Sequence, residues 1–287
     1  MTDGPEPITI RIAASLKEVD AEAWNICAGL DNPFVGYSFL SALEDSGSAS
    51  PEMGWASQHL IIEGADGGYL GVAPAYLKSH SYGEYVFDWG WAEAYERAGG
   101  KYFPKLLCGI PFTPITGPRL MVSPKAGKQE SKISSGLAAA MIQIGEQLNL
   151  SSIHINFLPK SECDQMTEMG FLIRQGQQFH WENQGYADFN DFLSSLSSRK
   201  RKNIRKERTN VLQTGLNIRT LTGNEITEAH WDAFYDFYCN TSDRKWGTNY
   251  LNRRFFSLLG ERCKDSVVLV YAETEGRPVA GALNLTG

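Results

Sequence analysis

The strongest constraint on the fold is a strand–turn–strand unit that occurs twice. Residues 60–77 read LIIEGADGGYLGVAPAYL and residues 269–285 read LVYAETEGRPVAGALNL. Each is an apolar run, an acidic-Gly turn and a second run with a small-residue centre, which is the pattern of a β-hairpin. Gly71 aligns with Gly281. Upstream of each hairpin lies a Trp-bearing helical stretch (Trp24, Trp231), then a shorter one rich in Phe and Leu. The order strand–helix–helix–strand–strand therefore appears twice. Gly-turn hairpins are common, but a matched helix pair in front of both points to duplication. The second copy stops at Gly287, just after its hairpin, so it is expected to lack the later strands and helices of the first.

The remaining segments alternate between helix and strand patterns. Residues 8–12 read as a strand, 21–29 as a helix, and Tyr69 to Lys78 as one continuous strand. Tyr85 to Trp89 (YVFDW) is a further strand, residues 92–108 are helical with breaks at Gly99-Gly100 and Pro104, and Gly117-Pro118 opens the strand RLMV. Residues 132–148 form an amphipathic helix, Ser152 to Phe157 a strand, 160–169 a short helix and Phe171 to Trp181 a long strand. From Tyr186 a new unit starts. Asp188 is its N-cap with Asp191 three residues on, and one apolar stripe runs from Phe189 through Leu196 and Ile204 to Leu212, stopped by Gly215. This predicts an α/β (α+β) protein with mixed central sheets flanked by helices. At 287 residues, one large domain or two are open. The repeat divides the chain into residues 1–185 and an incomplete second unit, 186–287.

Composition excludes several classes. The net charge of −6 argues against bulk nucleic-acid binding, so any anion site is local. The N-terminal MTDGPEP carries no signal-peptide pattern. No apolar run is long enough to span a membrane. The five Cys are scattered without CxxC spacing, which predicts reduced thiols in a cytoplasmic protein. His59, His154, His180 and His230 share no metal spacing, so structural roles and no metal site are expected.

Three constellations could carry chemistry. The first is RKRKNIRKER, residues 199–208. It sets seven cations (Arg199, Lys200, Arg201, Lys202, Arg205, Lys206, Arg208) against one anion, Glu207, a net of +6 in a chain of net −6. On a helix, Arg201–Arg205 and Lys202–Lys206 are like-charged i,i+4 pairs, each costing roughly 0.2–0.5 kcal/mol. Such a helix is either a solvated face or a grip on phosphates or an acidic surface. The second is KSHSYGEYVFDWGWAEAY, residues 78–95. Strand alternation would put Tyr85, Phe87 and Trp89 on one face and Asp88 on the other. A carboxylate among aromatics can have a raised pKa and act as a general base. Asp88 is the candidate base, with His80 and Glu84 near it and Tyr82, Tyr85 and Trp89 as substrate-binding walls. Equally, Asp88 could cap a helix and the aromatics could be core. The third is Asp243-Arg244-Lys245-Trp246-Gly247, where Arg244 and Lys245 could hold an anion with Trp246 as an apolar wall, or Asp243 could simply pair with a neighbouring Arg.

Several long motifs then bear a resemblance. NPFVGYSFLSALEDSGS (32–48), YLKSHSYGEYVFDWGWAEAYERAGGKYFPKL (76–106), PFTPITGPRL (111–120), QFHWENQGYADFNDFLSSLSSRKRKNIRKER (178–208) and DRKWG (243–247) resemble the bacterial FemAB-like branch of the GNAT acyl-CoA N-acyltransferase superfamily. The resemblance implies tandem GNAT-like domains, the second truncated here. It also implies transfer of an amino acid from aminoacyl-tRNA to a peptidoglycan precursor. The acyl-CoA motif Q/R-x-x-G-x-G/A is missing from the first copy, where SPKAGKQESK (123–132) stands instead.

The expected function is N-acyl or aminoacyl transfer to an amine on a small molecule or peptide. No cofactor is held permanently, and acyl-CoA or aminoacyl-tRNA serves as co-substrate. Lys200, Arg201, Lys202, Arg205 and Lys206 would hold donor phosphates. The alternative is a non-catalytic protein that docks tRNA, another polyanion or an acidic partner on the basic helix.

Overall fold

The computed structural model describes residues 9–245 and 247–287. Trp246 and residues 1–8, which include MTDGPEP and the start of the strand expected at 8–12, lie outside the described residues. The chain folds as a mixed α/β protein, as its alternating patterns predict. Three sheets are present among the described residues.

The first sheet has the order β1-β3-β4-β7, all antiparallel, with β1 Ile10–Ala13, β3 His59–Glu63, β4 Tyr69–Ala73 and β7 Met121–Val122. The second has the order β2-β5-β6-β8, with β2 Trp55–Ser57, β5 Ala75–Lys78, β6 Lys105–Cys108 and β8 Ile153–Ile155. Its β6 and β8 run parallel. The run expected as one strand from Tyr69 to Lys78 is therefore two, serving different sheets. Pro74 stands at the break: it has no N–H to give a ladder, and its carbonyl accepts from the Gly109 N–H at 3.1 Å. The helix expected over 92–108 is also two elements, α3 Trp89–Arg97 and β6. Because β6 is buried along its whole length, KLLC carries no alternation that would mark it as a strand.

Helices α1 Ala21–Ala28 and α2 Tyr37–Asp45 cover one face of the first sheet. Trp24, Leu40 and Leu43 meet Ile61 and Val72 there in one core. Helix α4 Glu130–Gln147 covers the other face, where Leu137 and Met141 pack with Leu60 and Ile62. Gly71 permits that approach: a Cβ on it would lie 2.5 Å from Ile133 of α4. Helix α5 Lys160–Glu168 follows β8. Phe171 to Trp181, expected as a strand, has no regular structure and pairs with nothing among the described residues. It is tethered instead by side chains, Arg174 to the Phe87 carbonyl at 3.2 Å and Gln178 to the Pro114 carbonyl at 2.7 Å.

The apolar stripe after Asp188 is interrupted. Helix α6 Phe189–Ser195 ends, Leu196 is extended, and α7 Ser198–Gln213 begins anew. Serines explain the break: the hydroxyls of Ser194 and Ser195 donate to the carbonyls of Asp191 and Phe192, competing with the helix for its own acceptors. The expected cap and stop are present: Asp188 accepts from the Asp191 N–H at 2.8 Å, and Gly215 has φ +73°.

The third sheet, β9 Asn217–Thr222, β10 Val267–Thr274 and β11 Arg277–Leu285, is antiparallel in the order β9-β10-β11. Between β9 and β10 lie α8 Glu228–Arg244 and α9 Arg253–Arg262. This order of elements and strands matches β1, α1, α2, β3 and β4, so the repeat seen in the sequence is a repeat of topology. Residue by residue the alignment slips. Gly71 faces α4, while Gly281 faces α8 (the counterpart of α1), where a Cβ would lie 3.0 Å from Phe234. A one-residue offset in a strand reverses the face a side chain occupies. The two counterpart helices α2 and α9 pack on each other. Phe39 and Phe255 meet edge to face at 5.9 Å, Arg262 bonds Asp45 at 2.7 Å, and the Asn252 amide donates to the Ser46 carbonyl at 2.7 Å.

Candidate active site

The second sheet builds an unusual row of side chains. Strand register places Trp55 opposite Lys78, and Lys78 opposite Lys105. Two ammonium groups thus sit side by side on a buried sheet face, an arrangement that is destabilising unless compensated. Lys78 and Lys105 are both inaccessible to solvent. Lys78 Nζ lies 3.4 Å from the centre of the Trp55 ring, a cation–π contact.

The loop from Ser79 to Asp88, between β5 and α3, supplies the compensation. Lys105 Nζ donates to Asp88 Oδ2 at 2.6 Å and to Ser81 Oγ at 2.8 Å. It also lies 2.9 Å from Glu84 Oε2. That last contact is an ion pair that falls outside hydrogen-bond angles. Both Glu84 oxygens, Asp88 Oδ1, Lys78 Nζ and Trp55 Nε1 are buried with no hydrogen-bond partner in the protein. The Tyr102 hydroxyl donates to Asp88 Oδ2 at 2.8 Å.

These surroundings separate the two carboxylates. Burial opposes ionisation of Asp88, but the bonds from Lys105, Ser81 and Tyr102 outweigh it and hold its pKa down to about 2. The expectation of a raised pKa at Asp88 is therefore corrected: this group is a fixed anion. Glu84 behaves in the opposite way, because burial raises its pKa more than Lys105 lowers it. Burial, helped by the neighbouring Lys105 charge and only partly offset by Glu84, lowers Lys78 to about 7. His80 is half-buried beside this group, with its pKa lowered by burial and by the Lys78 charge; its Nδ1 accepts from the Tyr82 N–H at 3.2 Å.

Above the charges lies a small open cleft of about 70 Å³, lined by Ser81, Tyr82, Gly83, Tyr85, Phe87, Trp89 and Tyr250. The expected walls Tyr82, Tyr85 and Trp89 are all in it. YVFDW is a loop leading into α3, not a strand, with Tyr85 at φ 59° and Phe87 at φ 50°. The expected facing nevertheless appears, with Tyr85, Phe87 and Trp89 exposed and Asp88 buried. Left-handed backbone at aromatic residues costs of order 1–3 kcal/mol each and persists where surrounding structure enforces it, typically at functional sites. Phe112, also left-handed at φ 62°, stacks on Tyr250 with ring centres 5.3 Å apart, and its backbone N–H donates to the Gly83 carbonyl at 3.1 Å. Tyr250 arrives from the α8–α9 connection, so the cleft joins the N-terminal and C-terminal parts of the chain. Arg174 pins the loop from outside, bonding the Phe87 carbonyl and lying 5.5 Å from the Trp91 ring centre.

The basic helix is elsewhere. No residue of α7 lines this cleft. Lys200, Lys202, Arg205 and Lys206 are exposed and Arg201 half-buried, and none of the seven cations forms an ion pair among the described residues. Arg208 instead lies 4.2 Å from the centre of the Phe189 ring, next to a second, shallower hollow lined by Trp181, Asn183, Tyr186, Asp188, Phe189 and Phe192. Arg244 and Lys245 are exposed at the end of α8, outside both cavities, and Trp246 lies outside the described residues.

Sequence reasoning missed Lys105, Lys78, Ser81 and Tyr250. The available signal was a lysine at the end of each of two apolar runs, AYLK and KLLC, where a strand end would be expected to carry its charge outward. Of the histidines expected to be structural, His59 pairs with Glu44 at 2.7 Å and His230 caps α8. No cluster of three or more metal-binding side chains occurs among the described residues, and no described helix is long and apolar enough to cross a membrane.

Among solved structures, the aminoglycoside 6′-N-acetyltransferase AAC(6′)-Ih from Acinetobacter baumannii is similar at 13% identity, covering 62% of this chain and 100% of its own, with a TM-score of 0.36. No curated protein matches the chain. A family model described as peptidoglycan biosynthesis/recognition matches residues 15–287, and the chain belongs to that family, the FemAB-like proteins.

Proposed function

We propose that the protein transfers an acyl or aminoacyl group to an amine, at the cleft where the 81–89 loop meets Tyr250. The observation that supports this reading is the aromatic cleft set directly over a buried pair of lysines and a pair of carboxylates with opposed pKa shifts. Such opposed shifts are what acid–base chemistry at one site needs. The neutral amine nitrogen forms a bond to the donor carbonyl carbon, the donor's C–S or C–O bond breaks, and the proton that the nitrogen gives up ends on the departing sulfur or oxygen. Glu84 does not line the cleft but is joined to the lining Ser81 through Lys105, and it is the carboxylate suited to receive that proton by relay, because burial favours its neutral form. Asp88 holds Lys105, and Lys105 holds Ser81, the residue that both lines the cleft and touches the buried charges. The donor is acyl-CoA or aminoacyl-tRNA, with the exposed cations of α7 as the grip on its phosphates.

Transfer is tested by offering labelled acetyl-CoA, or charged tRNA, with a panel of amine and peptide acceptors. Glu84→Gln should lower the rate by about 10²–10⁴-fold. In the parent protein, the rate should fall as pH drops through a pKa above the ordinary Glu value of 4.5. Full activity in Glu84→Gln would remove the base assignment, and no transfer from either donor would remove the catalytic reading. A second reading, a binding protein without catalysis, is favoured by the cations of α7, which form no ion pair among the described residues.

A further inference from the structure

The geometry points to the cleft as an aromatic cage for an organic ammonium group, so that an amine acceptor enters as a cation and loses one proton before its nitrogen attacks. This rests on the transferase reading for its role in turnover, but the binding itself does not require a donor. Every side chain in the lining is either an aromatic ring or the Ser81 hydroxyl: Tyr82, Tyr85, Phe87, Trp89 and Tyr250 supply the rings, and no charged side chain enters. The rings stand at steep angles around the opening. Tyr82 and Trp89 are inclined at 54° with centres 4.8 Å apart, and Tyr85 and Tyr250 at 78° with centres 6.5 Å apart. The face of each ring carries negative quadrupole potential, so several rings converging on one space attract an alkylammonium group more than a neutral group of the same shape.

Ser81 adds polarity of the same sign. Its oxygen accepts from Lys105 Nζ, and its hydroxyl is among the groups that hold the Asp88 carboxylate down. The bond from Lys105 takes one lone pair of the Ser81 oxygen and leaves a second to offer. It would accept an N–H from a primary ammonium. The two carboxylates beneath are balanced by two lysines, so selectivity comes from the rings and this oxygen. An ammonium on an indole already exists in this protein, Lys78 on Trp55 at 3.4 Å. The left-handed backbone at Tyr85 and Phe87 is what turns both rings outward to the opening while Asp88 stays buried.

The test compares choline with its uncharged isostere 3,3-dimethyl-1-butanol, titrated into the full chain at neutral pH without donor and followed by NMR or calorimetry. The cage predicts choline binding tighter by about 5- to 30-fold. Trp89→Leu should abolish that preference and Trp89→Phe should retain most of it. Ser81→Ala should weaken butylammonium by several-fold and leave choline unchanged, since a quaternary ammonium has no N–H to donate. Equal affinity for choline and the isostere, saturation by neither, or indifference to Trp89→Leu would each overturn the cage. Choline binding in a protein that shows no transfer would leave the cage standing and sink the catalytic reading alone.

Discussion

Lys78 is the residue whose environment has the clearest energetic consequence. Its folded pKa of about 7 lies below the ordinary 10.5. In that interval the unfolded chain binds a proton that the folded protein does not, so stability rises with pH from about 7 to about 10 on this residue's account. Below pH 7 both states hold the proton and the full desolvation penalty is present. Lys78→Met removes the titration while keeping the stem against Trp55. The variant's stability advantage over the parent should be largest near pH 7 and shrink by about 1.4 kcal/mol per pH unit above it. Urea denaturation at pH 7, 8 and 9 measures this, and a difference independent of pH would place the amine in contact with water. Lys78 also shows where sequence reading stops. The segment 78–95 was legible as a site because it concentrates aromatics and carboxylates. Which carboxylate is the anion and which the proton acceptor depends on Lys105, 17 residues beyond Asp88. That contact exists only because β5 and β6 pair in the register that sets Lys78 against Lys105, and register is a tertiary fact.

At the scale of elements, patterns with period were legible and breaks in them were not. α4 and α5 fall close to their predicted spans because each carries an apolar face. Pro74 and the serines at 194–198 divided elements that hydrophobicity alone would run together. β6 was read as helix because a strand buried on both faces has no alternation to show. The basic run 199–208 is helical within α7, but nothing in a charge run says what it lies beside. Its exposure makes a direct prediction. If its cations contact phosphates, replacing Arg201 and Arg205 with Ala should weaken binding to tRNA and reduce the slope of log K against log salt by up to about 2. The same change removes the repulsion within the Arg201–Arg205 pair, so helix stability at low salt should rise by roughly 0.2–0.5 kcal/mol. Binding measured by filter retention between 50 and 200 mM salt separates this from a merely solvated face, for which neither affinity nor slope would change.

Across the whole molecule, the two topological copies share a core as well as a cleft. Trp24, Leu40 and Leu43 from the first belong to the same buried cluster as Trp231, Phe255 and Leu259 from the second. Arg262 reaches across to Asp45, whose pKa is lowered despite burial because Arg262 and Lys17 both bond it. The cleft depends on this junction: Tyr250 sits in the connection leading into α9, and its neighbour Asn252 caps α9 while donating to the Ser46 carbonyl. A shared core implies one cooperative unit in this region, since neither copy can expose its half without uncovering the other. Phe255→Ala tests that implication. The side chain is buried against Phe39 of the opposite copy, so its loss leaves a cavity that neither side can fill alone, at a cost of about 3–5 kcal/mol. Calorimetry should show a single transition that moves to lower temperature as a whole. Tyr250 should also lose its seat, so Phe255→Ala should weaken choline binding without touching any residue of the cleft. Two separate transitions, with only one displaced, would mean that the copies fold independently and that the cleft is assembled by docking.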